Sequence, residues 1–491
     1  MLLSEIDTTS HHRNGFLLKR LLITMLAGTM AAAAVPAPAD NRLPTIGDPA
    51  NSVMTPTAEA QLGSDLMREV RQKMRLVSDP ELVAYVEDLG RRLTSHADTP
   101  EFHYHFFLVN SNQINAFAMP GGYVGVNTGL ILAAENESEL AGVLSHEIAH
   151  VAQRHMARQM AQAQQVNART IALVLAGLLL GSQNPQAGSA AVMSSVAGAQ
   201  QQQLAYSRQH EREADRIGMQ ILASSGFDPH GMGDFFKELM RASRYQDHPP
   251  PFLSTHPMTQ ERVADAEERA DQLHSSGDFS TGLFALMRAK LRVLQAGSPE
   301  EAIKHFRNGH SLDQMSEADR FGYALALRKA GDYKQARRIL SSLMKSQGEN
   351  PPYLLAQAEL EHAAGRYDEA VKAFDNALSL YPDSYPLRFS YAETLLDAGK
   401  PKAAVEQADK LLHAEAQRPA LYRLKANAAD KAGDVAEAKL AMAHYYRLEG
   451  DINSAMSQLR QVSQTADASD IQRSRAKALE REWKKEFNDK S

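Results

Sequence analysis

A step of 34 residues recurs through the second half of the chain and limits what that half can fold into. Ala-Gly pairs keep this step without interruption, an alanine follows each glycine by five residues, and four of the glycines have another alanine seven residues before them. The glycines are Gly297, Gly331, Gly365, Gly399 and Gly433. Small residues at fixed positions let paired helices cross closely, with a glycine at the turn. The pattern predicts an α-solenoid over residues 280–491, capped by a further half-step after Gly450.

This array is similar to the tetratricopeptide repeats. Such arrays bind extended or helical segments on a concave face and carry no chemistry of their own. We therefore expect the array to dock protein substrates or a larger assembly, and we expect any chemistry to lie in the first half of the chain.

The composition is that of a folded globular protein. Hydrophobic residues make up 43% and charged residues 23% of the 491 positions, and the formal net charge is −6. These values argue against extended disorder and against a polytopic membrane protein. Because the chain has no net positive charge, no nucleic-acid partner is expected.

Residues 1–39 have the order of a secretory signal peptide. Three basic residues precede the apolar stretch 21–35, and small residues lead to a predicted cleavage near Ala39. A mitochondrial presequence is the alternative, which the early acidic residues disfavour. The chain has no cysteine, so a lipoprotein anchor and disulfides are excluded and any metal site must use histidine and carboxylate ligands.

The pattern of residues 40–275 predicts an α+β domain that is mostly helical and has a small sheet. Helical periodicity covers 57–77 and 80–95, and aromatic and β-branched residues predict a strand within 102–109. A Pro-Gly-Gly turn at 120–122 lies between two further short strands. That hairpin is either an edge that could pair with an extended peptide or a hairpin of the core.

His146, Glu147 and His150 form an H-E-x-x-H motif within a segment of helical periodicity. Two histidines four residues apart lie on one face of an α-helix and can bind one Zn²⁺, with the glutamate beside a metal-bound water. An N-cap at Asn136 predicts where this helix begins, and we expect it to continue to about Gln165. The motif therefore indicates metal-assisted hydrolysis.

The segment after the motif changes in character. His155 is off the face that carries the motif histidines, and we interpret it as a surface or capping residue. Residues 156–205 are rich in Ala, Gln, Ser and Met, with an apolar block at 171–180. This block is shorter than the roughly 20 residues that cross a bilayer. We interpret the segment as a mobile flap near the active site; the alternatives are a buried core helix and a hairpin that contacts a membrane surface or a partner.

A second predicted helix carries Glu211 and Asp215 four residues apart, so their carboxylates share one face. A catalytic zinc site needs a third ligand and a group that holds a ligand imidazole by its other N–H. Glu213 is an alternative ligand, because spacing does not exclude it. His256 lies in a Pro-rich loop, where it could stabilise a developing oxyanion or occupy the open zinc position.

Three stretches together resemble the gluzincin metallopeptidases. They are N-A-F-A-M-P-G-G before the motif, S-R-Q-H-E-R-E-A-D after it, and T-H-P further on. The resemblance implies a zinc endopeptidase with one Zn²⁺ per chain, in which His146, His150 and Glu211 bind the metal. It also implies that Glu147 is the general base and that Asp215 orients a ligand.

The order of signal peptide, metallopeptidase domain and repeat array resembles a group of envelope proteases in Gram-negative bacteria. The resemblance implies a periplasmic enzyme that degrades unfolded or stalled outer-membrane proteins. It further implies assistance to outer-membrane assembly at the barrel-assembly machinery and the lipopolysaccharide translocon, with His256 as a switch on the zinc. The alternative is a chaperone or assembly adaptor whose metal site is gated or structural.

Overall fold

The computed structural model describes residues 53–97, 99, 102–162, 197–245, 250–273 and 282–488. The predicted signal peptide and most of the predicted flap lie outside these residues. The described chain is mostly helical with one small sheet, followed by paired helices, which confirms the predicted fold class. Among the described helices, none is long and apolar enough to cross a membrane.

Two helices open the described chain, α1 (Pro56–Lys73) and α2 (Pro80–Thr94). Both begin with proline, whose fixed φ and missing N–H suit the first helical turn. The side chains of Thr55 and Asp79 accept hydrogen bonds from backbone N–H groups of that turn. These caps explain why the two helices start where the periodicity predicts.

The sheet has three strands, β1 (His105–Val109), β2 (Ala116–Met119) and β3 (Tyr123–Asn127), in the spatial order β1-β3-β2. β1 is parallel to β3, and β2 is antiparallel to it, so the predicted hairpin is present. Its turn is a short 3₁₀ helix in which Gly121 has a φ of 72°, a conformation that favours glycine. Among the described strands β2 pairs with β3 alone, so one side of β2 is a sheet edge.

The motif helix is α4 (Glu137–Ala152), which follows the short α3 (Thr128–Ala133). Asn136 caps α4 by accepting a hydrogen bond of 3.0 Å from the backbone N–H of Glu139. Nearly every residue of α4 is buried, because the helix lies between the sheet and later helices. The predicted start of the helix is correct.

The predicted continuation of the motif helix to Gln165 is wrong, because α4 ends at Ala152 and a separate helix, α5 (His155–Gln162), follows. At the break Arg154 has a φ of 50°. Its buried guanidinium donates to the carboxylate of Glu59 at 3.1 Å and to the carbonyl of Met54 at 2.6 Å. These bonds hold the chain in a turn that redirects it after α4.

Within the described residues, the first half contains four more helices, α6 (Ala197–Ser224), α7 (His230–Tyr245), α8 (Pro251–Thr255) and α9 (Gln260–Gln272). Glycines allow α6 and α7 to approach α4 closely. A Cβ on Gly218 of α6 would lie 3.0 Å from the backbone of His146, and one on Gly142 would lie 2.9 Å from the backbone of Met232. The tight crossing of α4 and α6 brings their functional side chains together.

We expect Gly218→Ala to lower the free energy of unfolding by about 1–3 kcal/mol, because the added methyl group overpacks this crossing. Gly233→Ala in α7 is the matched control, since a Cβ there would meet no atom nearer than 3.6 Å. That change should stabilise the helix by about 0.5–1 kcal/mol. Urea unfolding of the full chain measures both, and an unchanged midpoint for Gly218→Ala would contradict the close crossing.

The second half is built from consecutive helix pairs. The helices are α10 (Leu283–Gln295), α11 (Pro299–Arg307), α12 (Glu317–Lys329), α13 (Tyr333–Gln347), α14 (Pro351–Ala363), α15 (Tyr367–Leu380), α16 (Tyr385–Asp397), α17 (Pro401–Ala414), α18 (Pro419–Lys431), α19 (Val435–Glu449), α20 (Ile452–Gln464) and α21 (Asp470–Asn488). Gly331, Gly365, Gly399 and Gly433 have φ values of 71° to 86° at the turns within pairs. The alanines five residues after and seven residues before these glycines are buried where the helices cross.

The array contacts the first half near both of its ends. Lys290 of α10 is buried and lies 2.7 Å from the carboxylate of Glu81 and 3.0 Å from that of Asp79. Arg71 of α1 donates a hydrogen bond of 2.6 Å to the carbonyl of Leu448 in α19. The repeat array is therefore packed against α1, α2 and α3 of the first half.

Candidate metal centre

Four side chains from three parts of the chain converge beside α4. His146 and His150 come from α4, Glu211 from α6, and His256 from the end of α8. Each offers one nitrogen or carboxylate oxygen, and these four atoms lie within 4.8 Å of one another. Nε2 of His146 is 3.1 Å from Nε2 of His150 and 3.2 Å from Nδ1 of His256, and the Glu211 carboxylate is 3.1 Å from the same His256 nitrogen.

The chemistry of this donor set fits a metal ion. Three imidazole nitrogens face one another in a buried space, and protons on the rings cannot satisfy every such contact at once. A divalent cation satisfies all of these lone pairs together, and the carboxylate of Glu211 supplies negative charge. Nitrogen and carboxylate donors are among the ligands that zinc takes in proteins.

The electrostatics of the two motif histidines differ. Burial has the largest influence and lowers the pKa of His146, but the Asp215 and Glu211 carboxylates outweigh it and raise that pKa to about 9. Burial holds the pKa of His150 well below its usual value. Burial also acts to raise the pKa of Glu211, yet the nearby imidazoles, His256 first among them, bring it well below the ordinary value. The centre thus favours an ionised carboxylate on Glu211 together with at least one neutral imidazole.

Asp215 lies directly behind His146. Its Oδ1 is 3.0 Å from Nδ1 of His146, on the opposite side of the ring from the convergence point. Arg262 of α9 holds this carboxylate by two hydrogen bonds of 2.7 Å and also lies 3.0 Å from Glu211. Sequence reasoning missed Arg262, because a single arginine in a charged helix carries no signal of its own.

Glu147 is 1% exposed and points toward the same centre. Its Oε1 has no hydrogen-bond partner among the described residues, although Nε2 of His256 lies 3.3 Å away. A buried carboxylate oxygen without a donor costs free energy unless another group uses it. This oxygen is therefore available to a water or a substrate at the metal centre.

The structure also shows where His155 and Glu213 lie. The interpretation of His155 as a surface or capping residue is wrong, because its side chain is 5% exposed and its Nδ1 lies 2.9 Å from Nδ1 of His150. The turn at Arg154 brings it there. Glu213, the alternative ligand, points away from the centre and contacts His155 and Arg158 instead.

The chain is similar to known families in both halves. The model of Peptidase family M48 matches residues 80–270, and a model of the tetratricopeptide repeat matches residues 361–428. A model of the anaphase-promoting complex, cyclosome, subunit 3 matches residues 295–377. The matches agree with a peptidase followed by helical repeats.

Individual relatives extend this similarity over nearly the whole chain. The beta-barrel assembly-enhancing protease of Escherichia coli strain K12 is 33% identical over 463 residues, which are 93% of this chain and 94% of that protein. The protein of the same name from Yersinia pestis is 34% identical over 94% of this chain and 95% of its own length. A mitochondrial metalloendopeptidase OMA1 of Schizosaccharomyces pombe is 28% identical over 43% of this chain and 60% of that protein. The chain is a metalloendopeptidase and belongs to the family of beta-barrel assembly-enhancing proteases.

Proposed function

We propose that this chain is a zinc-dependent endopeptidase with one Zn²⁺ held by His146, His150 and Glu211. The observation that carries the proposal is the convergence of their ligating atoms, together with His256, within 4.8 Å. The zinc content of the purified chain and its cleavage of an unfolded outer-membrane protein test it. Chelation should abolish cleavage, and added Zn²⁺ should restore it.

The side chains around the centre have separate tasks under this proposal. Bound zinc supplies a Lewis acid that polarises a carbonyl and lowers the pKa of a water. The Glu147 carboxylate accepts a proton from the attacking water and gives it to the leaving amide nitrogen. Asp215, held by Arg262, keeps the His146 ring oriented with its other nitrogen toward the convergence point.

The edge of β2 that pairs with no other described strand is a candidate site for the substrate backbone. β2 contacts α4, so a peptide paired with this edge would run beside the motif helix. Main-chain hydrogen bonds of this kind bind extended peptides with little dependence on sequence. Such a mode suits an enzyme that acts on unfolded chains.

His256 is the residue on which the resting activity depends. Its Nδ1 is 3.1 Å from Glu211 and its Nε2 is 3.3 Å from Glu147, so it occupies the space between a ligand and the proposed base. As a fourth ligand it would keep water and substrate out. We expect His256→Ala to raise the cleavage rate of an unfolded outer-membrane protein. A fall in kcat would instead indicate that His256 stabilises the oxyanion, and an unchanged rate would contradict both roles.

The setting of the enzyme is part of the proposal. We place signal-peptide cleavage near residue 39, the metallopeptidase domain at 40–275 and the repeat domain at 280–491, with the mature enzyme in the periplasm. Relatives named for beta-barrel assembly support a role at the outer membrane. The substrates would be misassembled outer-membrane proteins, and the repeats would dock them, the barrel-assembly machinery or the lipopolysaccharide translocon.

A second candidate function is favoured by the position of His256. If His256 stayed on the metal as a fourth protein ligand even when substrate is present, the metal site would be closed, and the chain would act mainly as a chaperone or assembly adaptor. Assembly of outer-membrane proteins in cells that carry Glu147→Gln separates the two. Normal assembly without proteolysis favours the adaptor, whereas accumulation of stalled outer-membrane proteins favours the protease.

A further inference from the structure

His155 and Glu213 form a series of contacts that leads to His150 at the metal centre. Neither His155 nor Glu213 is one of the four side chains that converge there. Nδ1 of His155 lies 2.9 Å from Nδ1 of His150, and its Nε2 lies 3.2 Å from Oε2 of Glu213. Arg158 donates a hydrogen bond of 3.0 Å to the same Glu213 oxygen. The His155 ring is buried and stacks on His210, with the ring centroids 4.1 Å apart and the planes 12° apart.

The two facing nitrogens share one proton, since a hydrogen bond needs one donor and one bare acceptor. His150 directs Nε2 to the convergence point, so its proton must lie on Nδ1 when Nε2 binds a metal. That proton can only be donated to a bare Nδ1 on His155. The proton of His155 then lies on Nε2, where it faces the Glu213 carboxylate.

Each contact in this series therefore fixes the tautomer of the next ring. The arrangement parallels the one on the other motif histidine, where Asp215 lies behind His146 and Arg262 holds Asp215. In both cases an arginine fixes a carboxylate of α6. The difference is that on His150 an additional imidazole spans the distance between ligand and carboxylate.

We propose that His155 is a positioning residue that holds the ligand imidazole of His150 in its metal-binding tautomer, and that Glu213 in turn orients His155. This inference rests on the proposed zinc ligation by His150. Partners of this kind typically change metal affinity by about 10- to 100-fold when they are removed.

Competition with a chromophoric chelator, on the full-length chain at one fixed pH, measures the affinity for Zn²⁺ directly. His155→Phe keeps the ring and its stacking on His210 but removes the acceptor, so we expect zinc binding to weaken by about 10- to 100-fold. His155→Asn returns an acceptor oxygen near the position of Nδ1 and should restore most of the affinity. Zinc affinity that is equally weak in both variants, or unchanged in His155→Phe, would overturn the proposal.

A second pair of variants keeps the test decisive if His155→Phe does not fold. Glu213→Ala should also weaken zinc binding, whereas Arg212→Ala, which removes only an exposed ion pair with Glu261 from the neighbouring position, should not. Equal zinc affinity of these two variants would contradict the role of Glu213.

Histidine ring ¹⁵N NMR of the zinc-loaded chain adds a signature that loss of packing alone does not produce. We expect a hydrogen-bonded Nδ1 proton on His150 in the wild type and in His155→Asn. In His155→Phe this hydrogen bond should be absent. A wild-type chain that binds no zinc would contradict the proposed function itself. If the wild type binds zinc and the variants bind it equally tightly, only this inference is contradicted.

Discussion

Glu147→Gln is expected to leave one Zn²⁺ per chain bound and to lower the cleavage of an unfolded outer-membrane protein by about 10²- to 10⁴-fold, the usual contribution of a general base. The amide has nearly the same shape as the carboxylate but cannot accept and return a proton. Because Glu147 is buried and its Oε1 has no hydrogen-bond partner among the described residues, the exchange removes little structure. Cleavage rate and zinc content are measured on the same preparation.

Glu238→Gln provides the control for this exchange. Glu238 lies on α7, and its ion pair with Arg241 is on the surface, so the same loss of charge should not alter cleavage. Wild-type turnover by Glu147→Gln would remove Glu147 from the mechanism. Loss of zinc together with activity would mean that Glu147 supports the metal rather than the proton transfer.

Arg262→Met is expected to lower the free energy of unfolding of the metal-free chain by about 3–5 kcal/mol, the range for breaking a buried ion pair from one side. The arginine side chain is 5% exposed and neutralises both Asp215 and Glu211. Methionine fills much of the space but leaves two buried carboxylates that share the remaining positive charge of His146. Chemical denaturation of the chelator-treated chain measures the loss.

Arg212→Met is the matched control, because Arg212 lies on α6 and its pair with Glu261 is more than half exposed. Exposed pairs contribute about 0.2–1 kcal/mol. If both arginine variants lost the same small amount of unfolding free energy, the buried carboxylates of Asp215 and Glu211 would not depend on Arg262 for their neutralisation. Bound zinc should reduce the difference in unfolding free energy between the two variants, because the cation neutralises part of the charge of Glu211.

The features of the site that follow from a pattern among neighbouring residues could be predicted from the sequence. His146, Glu147 and His150 lie within little more than one helical turn, and the Asn136 cap sets where that turn falls. The 34-residue step likewise follows from local pairing of helices, and Gly331 has the predicted turn conformation. Such patterns need no knowledge of distant contacts.

Features that depend on distant contacts could not be read in the same way. Spacing along the chain does not distinguish Glu211 from Glu213 as the third metal ligand, because only the packing of α6 on α4 decides which carboxylate faces the motif. The buried position of His155 follows from the helix break at Arg154, and that break depends on bonds to Glu59 and Met54 about a hundred residues earlier. Arg262 is recognisable only through Asp215, from which it is separated by 47 positions.

X-ray absorption at the zinc edge of the purified full chain measures which side chains bind the metal. We expect one zinc per chain with only nitrogen and oxygen neighbours at about 2.0–2.2 Å. We expect three imidazoles in the resting wild type, from His146, His150 and His256, and two in His256→Ala, which keeps its metal. Two imidazoles in the wild type would contradict the binding of His256 to the resting zinc, and fewer than two, or no bound zinc at all, would contradict zinc binding by His146 and His150.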